Sequence, residues 1–192
     1  MTEIRQWSDI MVDLETTETN LLTAGIIQIA AVFFDLKTGE IGPSFNRCLT
    51  LPVEAGSFTF EWSNATLRWW TSDSDRKAVL QSILSEADAP KQAIKDFVSW
   101  VRVNGAGRSL HFWSKPSHFD YTLLDKYFKY YRYENPFIYW KARDMRSYIL
   151  GLVFPDELPD LKLESSEAHN ALADVKFQVE QLIKITKEKK KC

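Results

Sequence analysis

Two acidic residues at the end of an apolar run constrain this chain more than any other feature of its sequence. Residues 9–17 read Asp-Ile-Met-Val-Asp-Leu-Glu-Thr-Thr, so one residue separates Asp13 from Glu15. Because side chains alternate between the two faces of a β-strand, both carboxylates would project from one face, about 7 Å apart. The run predicts a strand covered on both faces that carries two acids to a sheet edge. Taken alone, the pair is also explained by ordinary polar residues at a strand end.

Length and composition predict one intracellular globular domain. The chain has 192 residues, of which 45% are hydrophobic and 26% charged, which suits a sizeable core. It contains no apolar run of about 18 residues and no basic-then-apolar leader, so neither a membrane span nor a secretory signal is expected. Cys48 and Cys192 suggest neither a disulfide framework nor a metal-binding cluster. The net charge of −2 argues against a broad basic face for duplex nucleic acid, although a cation-binding carboxylate site is compatible with a nuclease.

The pattern along the chain predicts one mixed α/β sheet with helices packed on its faces. The hairpin over 26–51 is expected to be antiparallel, with a turn at 37–40. The predicted strands are 9–17, 25–35, 45–51, 109–113 and 137–140. The predicted helices are 63–70, 75–86, 88–104, 119–133, 142–150 and a last helix from 171 onward, after a loop at 155–166.

No internal repeat or linker divides the chain. We therefore predict a single domain over residues 1–186 and a basic C-terminal tail at 187–192, which contains four lysines. The tail is interpreted as the solvated end of a helix, where positive charge is favoured by the helix dipole. A nucleic-acid contact is the alternative.

Three further polar residues lie at the ends of predicted elements. Asp120 stands where the strand at 109–113 leads into its helix, and His169 and Asp174 flank the start of the last helix. Each also has an ordinary explanation, as a helix-terminal acid, a surface histidine or a solvated carboxylate. Five residues on one helix are about 140° apart, so His169 and Asp174 cannot both face one site from inside it. With Asn170 as N-cap, Asp174 would point into the site and His169 would approach from the preceding loop.

Four carboxylates gathered in one place require positive charge. Asp13, Glu15, Asp120 and Asp174 would raise one another's pKa values, so a pair of hard cations such as Mg²⁺ or Mn²⁺ is their natural complement. Two such ions about 3.5–4 Å apart favour in-line displacement at phosphorus, because one activates the attacking water and the other stabilises the leaving oxygen. A neutral histidine beside that water, here His169, can accept its proton.

Three motifs resemble those of a known family. In order and spacing they resemble the three exonuclease motifs of the DEDDh 3′→5′ exonucleases. The three motifs are Asp13-Leu14-Glu15-Thr16, His118-Phe119-Asp120 and His169-Asn170-Ala171-Leu172-Ala173-Asp174. The resemblance covers nearly the whole chain. The segments 66–70, 113–120 and 143–146 further resemble a narrower group, which contains the mycobacterial-type 3′→5′ exoribonuclease and a phage exonuclease specific for single-stranded DNA.

The resemblance implies a ribonuclease H-like fold, in which helices flank a five-stranded mixed sheet. It implies that Asp13, Glu15 and Asp174 hold the metal ion on the nucleophile side and that Asp13 bridges two ions. Asp120 would support the second ion, often through water, and His169 would be the general base.

Substrate contacts are expected beside these ligands. The resemblance implies that Thr16 contacts the 3′-terminal sugar. Aromatic rings stack on unpaired bases for about 1–3 kcal/mol each; of Trp69 and Trp70 we expect one in the core and the other, taken to be Trp70, in the substrate groove. The chain departs from the group at Ser114, where glycine is usual, and at His118, where a small residue is usual. His118 is a candidate contact of the scissile phosphate or terminal nucleotide, with a structural or solvent-facing role as the alternative.

The sequence thus predicts a metal-dependent exonuclease that releases nucleoside 5′-monophosphates from the 3′ ends of single-stranded DNA, RNA or both. A catalytically silent module that binds single strands or a protein partner is the alternative, and the completeness of the four acids and the histidine argues against it. We expect a cytoplasmic protein of bacterial or phage origin with no membrane partner. A homodimer is compatible with the resemblance, since relatives often dimerise.

Overall fold

A five-stranded mixed sheet forms the centre of the molecule, as expected. The computed structural model describes residues 5–52, 58–153 and 169–189. The strands are β1 (Asp9–Thr16), β2 (Ile26–Asp35), β3 (Glu40–Cys48), β4 (His111–Ser114) and β5 (Ala142–Asp144). Their order across the sheet is β3-β2-β1-β4-β5. β1 pairs antiparallel with β2 and parallel with β4, and β5 continues the parallel side.

Six described helices surround the sheet. They are α1 (Asn64–Thr71), α2 (Ser74–Ser85), α3 (Pro90–Asn104), α4 (Ser117–Tyr131), α5 (Met145–Leu152) and α6 (Ala171–Lys189). Local caps explain several starts: the side chains of Ser63 and Asp73 accept backbone N–H bonds from the first turns of α1 and α2, and Pro90 opens α3. No helix in the described part of the chain is long and apolar enough to cross a lipid bilayer.

The strand predicted at 137–140 is wrong. Tyr139–Lys141 form a 3₁₀ turn with exposed Tyr139 and Trp140 rings, and the edge strand is β5, which begins five residues after the start of the predicted strand. The helix predicted from 142 accordingly begins at Met145. Aromatic residues favour strands in general, but here pairing with β4 decides the strand's position. β3 also starts earlier than predicted, at Glu40, and α4 starts at Ser117 rather than near 119.

The alternation along β1 assigns its side chains to two different cores. Ile10, Val12 and Leu14 belong to a core that also includes buried residues of α3 and α4, such as Phe97 and Leu124. Met11 belongs to the core on the opposite face, with residues of α5 and α6. Because the period of a strand is two, Asp13 and Glu15 share the face of Met11 and point toward α6. The expectation that both acids project from one face is confirmed.

A third, smaller core attaches α1 and α2 to β2 and β3. Trp70 packs there with Ile27, Cys48, Leu80 and Ile83. The thiol of Cys48 is buried and free, and burial raises its pKa to about 11.

The predictions for the C-terminal part of the chain are covered only in part by the described residues. The loop expected at 155–166, Cys192 and the last two lysines of the basic tail lie outside the described residues. Lys187 and Lys189 form part of the last turn of α6.

Candidate active site

Three carboxylates from two elements converge at one edge of the sheet. Asp13 and Glu15 come from β1, and Asp174 comes from the first turn of α6. One oxygen from each lies within 4.8 Å of the others. All three side chains are partly buried. The strand contributes two acids through its alternation, and the helix contributes the third through its packing against β1 and β2.

The start of α6 is fixed by its own cap and by a buried glutamine of β2. The Asn170 side chain accepts hydrogen bonds from the backbone N–H groups of Leu172 (3.1 Å) and Ala173 (3.4 Å), which confirms it as the N-cap. The Ala171 N–H donates to Oε1 of Gln28 at 3.1 Å. Gln28 stands opposite Glu15 in the β1–β2 ladder. One side chain therefore connects the strand pair to the helix that carries Asp174.

A second glutamine contacts the acids directly. Nε2 of Gln178, one turn beyond Asp174 on α6, donates to Oδ1 of Asp13 at 3.0 Å. Sequence reasoning missed both glutamines, although a signal was present: Gln28 interrupts an apolar strand, and Gln178 adjoins Val179 on the apolar stripe of α6. A polar side chain on a buried face requires a partner, and here the partners are groups at the site.

Asp120 approaches from the first turn of α4 and is only 4% exposed. It is not among the three residues with converging oxygens. The charge of Asp120 nevertheless raises the pKa of Glu15, and the charge of Asp13 raises the pKa of Asp120.

Asp144, at the end of β5, accepts a hydrogen bond from the N–H of Ser117 at 3.0 Å with one oxygen. Its other oxygen accepts from the N–H of Ser147 at 2.8 Å, so one carboxylate caps α4 and α5. Local sequence gave no sign of this long-range cap.

Burial raises the pKa of every acid in the group, and the charges of neighbouring acids raise it further for Asp13, Glu15 and Asp120. Burial is the largest cause for each of the four. For Asp13, burial and the charge of Asp174 raise the pKa to about 7, against the opposing effects of the Gln178 hydrogen bond and the charge of Lys115. At neutral pH these acids therefore need more positive charge than Lys115 supplies if all of them are to be ionised.

This donor set fits divalent cations. It offers carboxylate oxygens, the donors that Mg²⁺ and Mn²⁺ take up, at a point where the carboxylates are held together against their repulsion. A bound cation would remove that repulsion and favour the ionised forms.

His169 lies just before α6, as the N-cap argument expected. Its backbone N–H donates to Oδ2 of Asp174 at 3.0 Å, and its φ of 69° places it in the left-handed region. Its positive charge, when protonated, lowers the pKa of Asp174. The histidine and the acid therefore reach one site from a loop and a helix.

The two adjacent tryptophans of α1 have opposite environments. Trp70 is 1% exposed and belongs to the third core, so its expected place in the substrate groove is wrong. Trp69 is 39% exposed, and its ring lies 4.7 Å from that of His169 between centroids. Consecutive helical residues point about 100° apart, so only the packing of α1 shows which ring is buried.

The remaining predicted residues lie around the site. Thr16 follows Glu15, and its hydroxyl donates to the carbonyl of Glu18 at 3.0 Å. His118 is exposed on the first turn of α4; two residues from Asp120, it points to a different side of the helix. His111, for which no catalytic part was expected, starts β4, with Nδ1 3.3 Å from Oδ1 of Asp9.

The Rv2179c-like 3′-5′ exoribonuclease domain matches residues 8–186 of this chain. The chain belongs to this family. The predicted resemblance to 3′-5′ exonucleases is thereby confirmed for nearly the whole sequence. No curated protein sequence is significantly similar to this Rv2179c-like chain.

Solved structures of several exonucleases share the fold of this Rv2179c-like domain. The nuclease domain of 3′hExo, a DEDDh family member bound to rAMP, is 16% identical with a TM-score of 0.61, over 94% of this chain and 92% of that one. E. coli exonuclease I in complex with a dT13 oligonucleotide is 13% identical with a TM-score of 0.66, over 95% of this chain. The chain spans only 42% of the exonuclease I chain in that complex. The expected ribonuclease H-like α/β fold is confirmed.

Proposed function

We propose that this Rv2179c-like domain is a metal-dependent 3′-5′ exonuclease acting on single-stranded nucleic acid. The observation that carries the proposal is the convergence of Asp13, Glu15 and Asp174, with oxygens within 4.8 Å, beside buried Asp120 and His169. Family membership over residues 8–186 supports the reaction class. A silent binding module would have no need to keep four mutually repelling carboxylates together.

The carboxylates would hold two divalent ions, Mg²⁺ or Mn²⁺. Asp13, Glu15 and Asp174 would bind the ion on the side of the attacking water, and Asp120 would support a second ion together with Asp13. Ions held there would supply a lowered pKa for bound water and positive charge for the leaving oxygen. The hydrogen bonds of Gln178 and Gln28 would hold Asp13 and the start of α6 in fixed positions relative to each other.

His169 would act as the general base. One imidazole nitrogen would accept the proton of the attacking water, whose oxygen forms a new bond to the terminal phosphorus. The bond from phosphorus to the 3′ oxygen of the preceding nucleotide breaks, and that oxygen takes a proton from solvent and stays on the shortened strand as a hydroxyl. The products are a nucleoside 5′-monophosphate and a strand one nucleotide shorter. No covalent enzyme intermediate is needed.

Single strands are the proposed substrates. The 3′hExo nuclease domain was solved with rAMP and exonuclease I with dT13, which supports a site for a 3′-terminal nucleotide on this fold. Because the carboxylates would act on the phosphodiester and not on the sugar, RNA and DNA are both candidates, with RNA favoured by the family description.

The test uses 5′-labelled single-stranded RNA and DNA of one sequence, with Mn²⁺ or Mg²⁺ and, in parallel, with EDTA. We expect a ladder that shortens from the 3′ end only with metal, and the two initial rates measure the sugar preference. Asp174→Asn should remove the activity because it removes a ligand. Asp75→Asn, the same change in an exposed residue of α2, should leave it intact. Absence of shortening on both substrates would favour the silent module.

His169→Ala separates the base from the metal ligands. We expect a rate about 10²–10⁴-fold lower, the usual effect of losing a general base, with Mn²⁺ affinity retained in calorimetry. An unchanged rate at neutral pH would show that another group accepts the proton.

A further inference from the structure

Among the residues that the structure describes, a ring contact and not a hydrogen bond holds the imidazole of His169. Its backbone N–H is bonded to Asp174, but within the described residues its ring nitrogens form no hydrogen bond. The backbone bond fixes the position of the Cα atom and leaves the side-chain torsions free. The ring contact that the structure provides is with Trp69, at 4.7 Å between centroids and an interplanar angle of 82°. This is the edge-to-face arrangement that aromatic pairs prefer.

Trp69 is itself fixed on two sides. Its ring lies 5.0 Å from that of Trp70, which is anchored in the core between α1, α2 and the sheet. The guanidinium of Arg76 lies over the Trp69 ring, 4.6 Å from its centroid, and Nη2 of Arg76 donates to the hydroxyl of Ser72 at 3.1 Å. A continuous set of contacts therefore runs from the core through Trp70 and Trp69 to His169.

We propose that Trp69 is a positioning residue that holds the His169 imidazole in the orientation needed to accept the proton. The proposal rests on the proposed function, since it gives a role to a neighbour of its general base. It differs from base stacking, the role that an exposed tryptophan beside a nucleotide site would otherwise suggest. A stacking residue acts on substrate affinity, whereas a positioning residue acts on the rate of the bound complex.

The first test separates kcat from KM. An aromatic pair is worth a few-fold to tenfold in an equilibrium, so Trp69→Ala and Trp69→Leu should lower kcat about 2- to 10-fold with KM unchanged. Trp69→Phe should restore kcat to within about twofold. Trp140→Ala is the matched control: Trp140 is 64% exposed and precedes β5, at the sheet end away from the acids, and its loss should change neither constant.

The second test asks whether Trp69 acts through His169. In the His169→Ala background, Trp69→Ala should cause no further loss of kcat, because the imidazole it orients is already gone. An increase in KM with kcat unchanged would overturn the proposal in favour of base stacking. Equal losses of kcat in the presence and absence of His169, or the same loss in Trp140→Ala, would also overturn it.

A third readout needs no substrate. The chain has three histidines, and the ring signals of His169 in NMR spectra are identified by their loss in His169→Ala. Trp69→Ala should shift these signals, because the nearby indole ring current is removed, and should leave those of His111 and His118 in place. Unshifted His169 signals would contradict the contact. If the wild type shortens no strand, the proposed function fails and with it the catalytic role, while the NMR result still decides whether Trp69 holds the ring.

Discussion

Asp13→Asn should stabilise the metal-free protein near neutral pH while removing its activity. Asn keeps the size of the side chain and an oxygen that can accept the hydrogen bond from Gln178. It removes one charge from a group in which burial and the charge of Asp174 raise the Asp13 pKa to about 7. A carboxyl with a raised pKa binds its proton more tightly in the folded state. Its stabilising contribution is therefore present below about pH 4 and is lost as pH rises toward 7.

The size of this effect follows from the pKa of Asp13. A rise from 3.8 to about 7 is roughly three pH units, or about 4 kcal/mol at 1.36 kcal/mol each. Because Asp13 is partly exposed and shares its repulsion with Asp174, we take about 2–4 kcal/mol. For a chain of this size, 1 kcal/mol shifts Tm by about 2–4 °C. We therefore expect Asp13→Asn to melt about 5–15 °C above the wild type at pH 7.5 in EDTA.

The assay is thermal denaturation followed by circular dichroism, at pH 4 and pH 7.5, with EDTA and then with Mn²⁺. The difference between variant and wild type should be small at pH 4, where Asp13 is protonated, and should shrink again at pH 7.5 when Mn²⁺ stabilises the wild type. Asp75→Asn, with an exposed carboxylate, should change Tm little under any condition. Equal melting of Asp13→Asn and wild type at pH 7.5 in EDTA would refute the electrostatic reasoning.

Three further substitutions test the framework around the site. Asp144→Ala should lower the free energy of unfolding by about 1–3 kcal/mol, because the caps of α4 and α5 are lost. It should also slow cleavage, because α4 carries Asp120. A variant with the melting temperature and cleavage rate of the wild type would show that the cap is dispensable. Trp70→Ala should cost about 3–5 kcal/mol in urea denaturation, and a cost below about 1 kcal/mol would contradict its buried position. Lys126→Met removes an ammonium that donates to the carbonyls of Leu22 (2.8 Å) and Thr59 (3.0 Å), so limited proteolysis should cut near residue 22 faster, whereas an unchanged pattern would count against this tether.

Features with a local cause could be predicted from the sequence. The alternation in residues 9–15 predicted both the strand and the common face of its two acids, since the period of a strand is local. The N-cap at Asn170 follows from helix geometry and explained how His169 and Asp174 reach one site. The same reasoning placed the starts of α1 and α3 within a residue or two.

Features with a distant cause could not. β5 has three residues, and its position depends on pairing with β4, so the aromatic run before it was mistaken for the strand. The Asp144 cap joins residues 27 apart, and the bond from Gln178 to Asp13 joins residues 165 apart. Which of Trp69 and Trp70 is buried depends on how α1 packs on the sheet, which composition and periodicity do not specify.

The most direct test of the central claim is the path of the water oxygen during cleavage. The protein digests a single-stranded oligonucleotide with Mn²⁺ in water enriched in ¹⁸O, and the masses of the products are measured by mass spectrometry. If water attacks the terminal phosphorus, each released nucleoside 5′-monophosphate carries one ¹⁸O in its phosphate, and the 3′ hydroxyl of the shortened strand carries none. Release of nucleoside 3′-phosphates, or of 5′-monophosphates without ¹⁸O, would contradict the account.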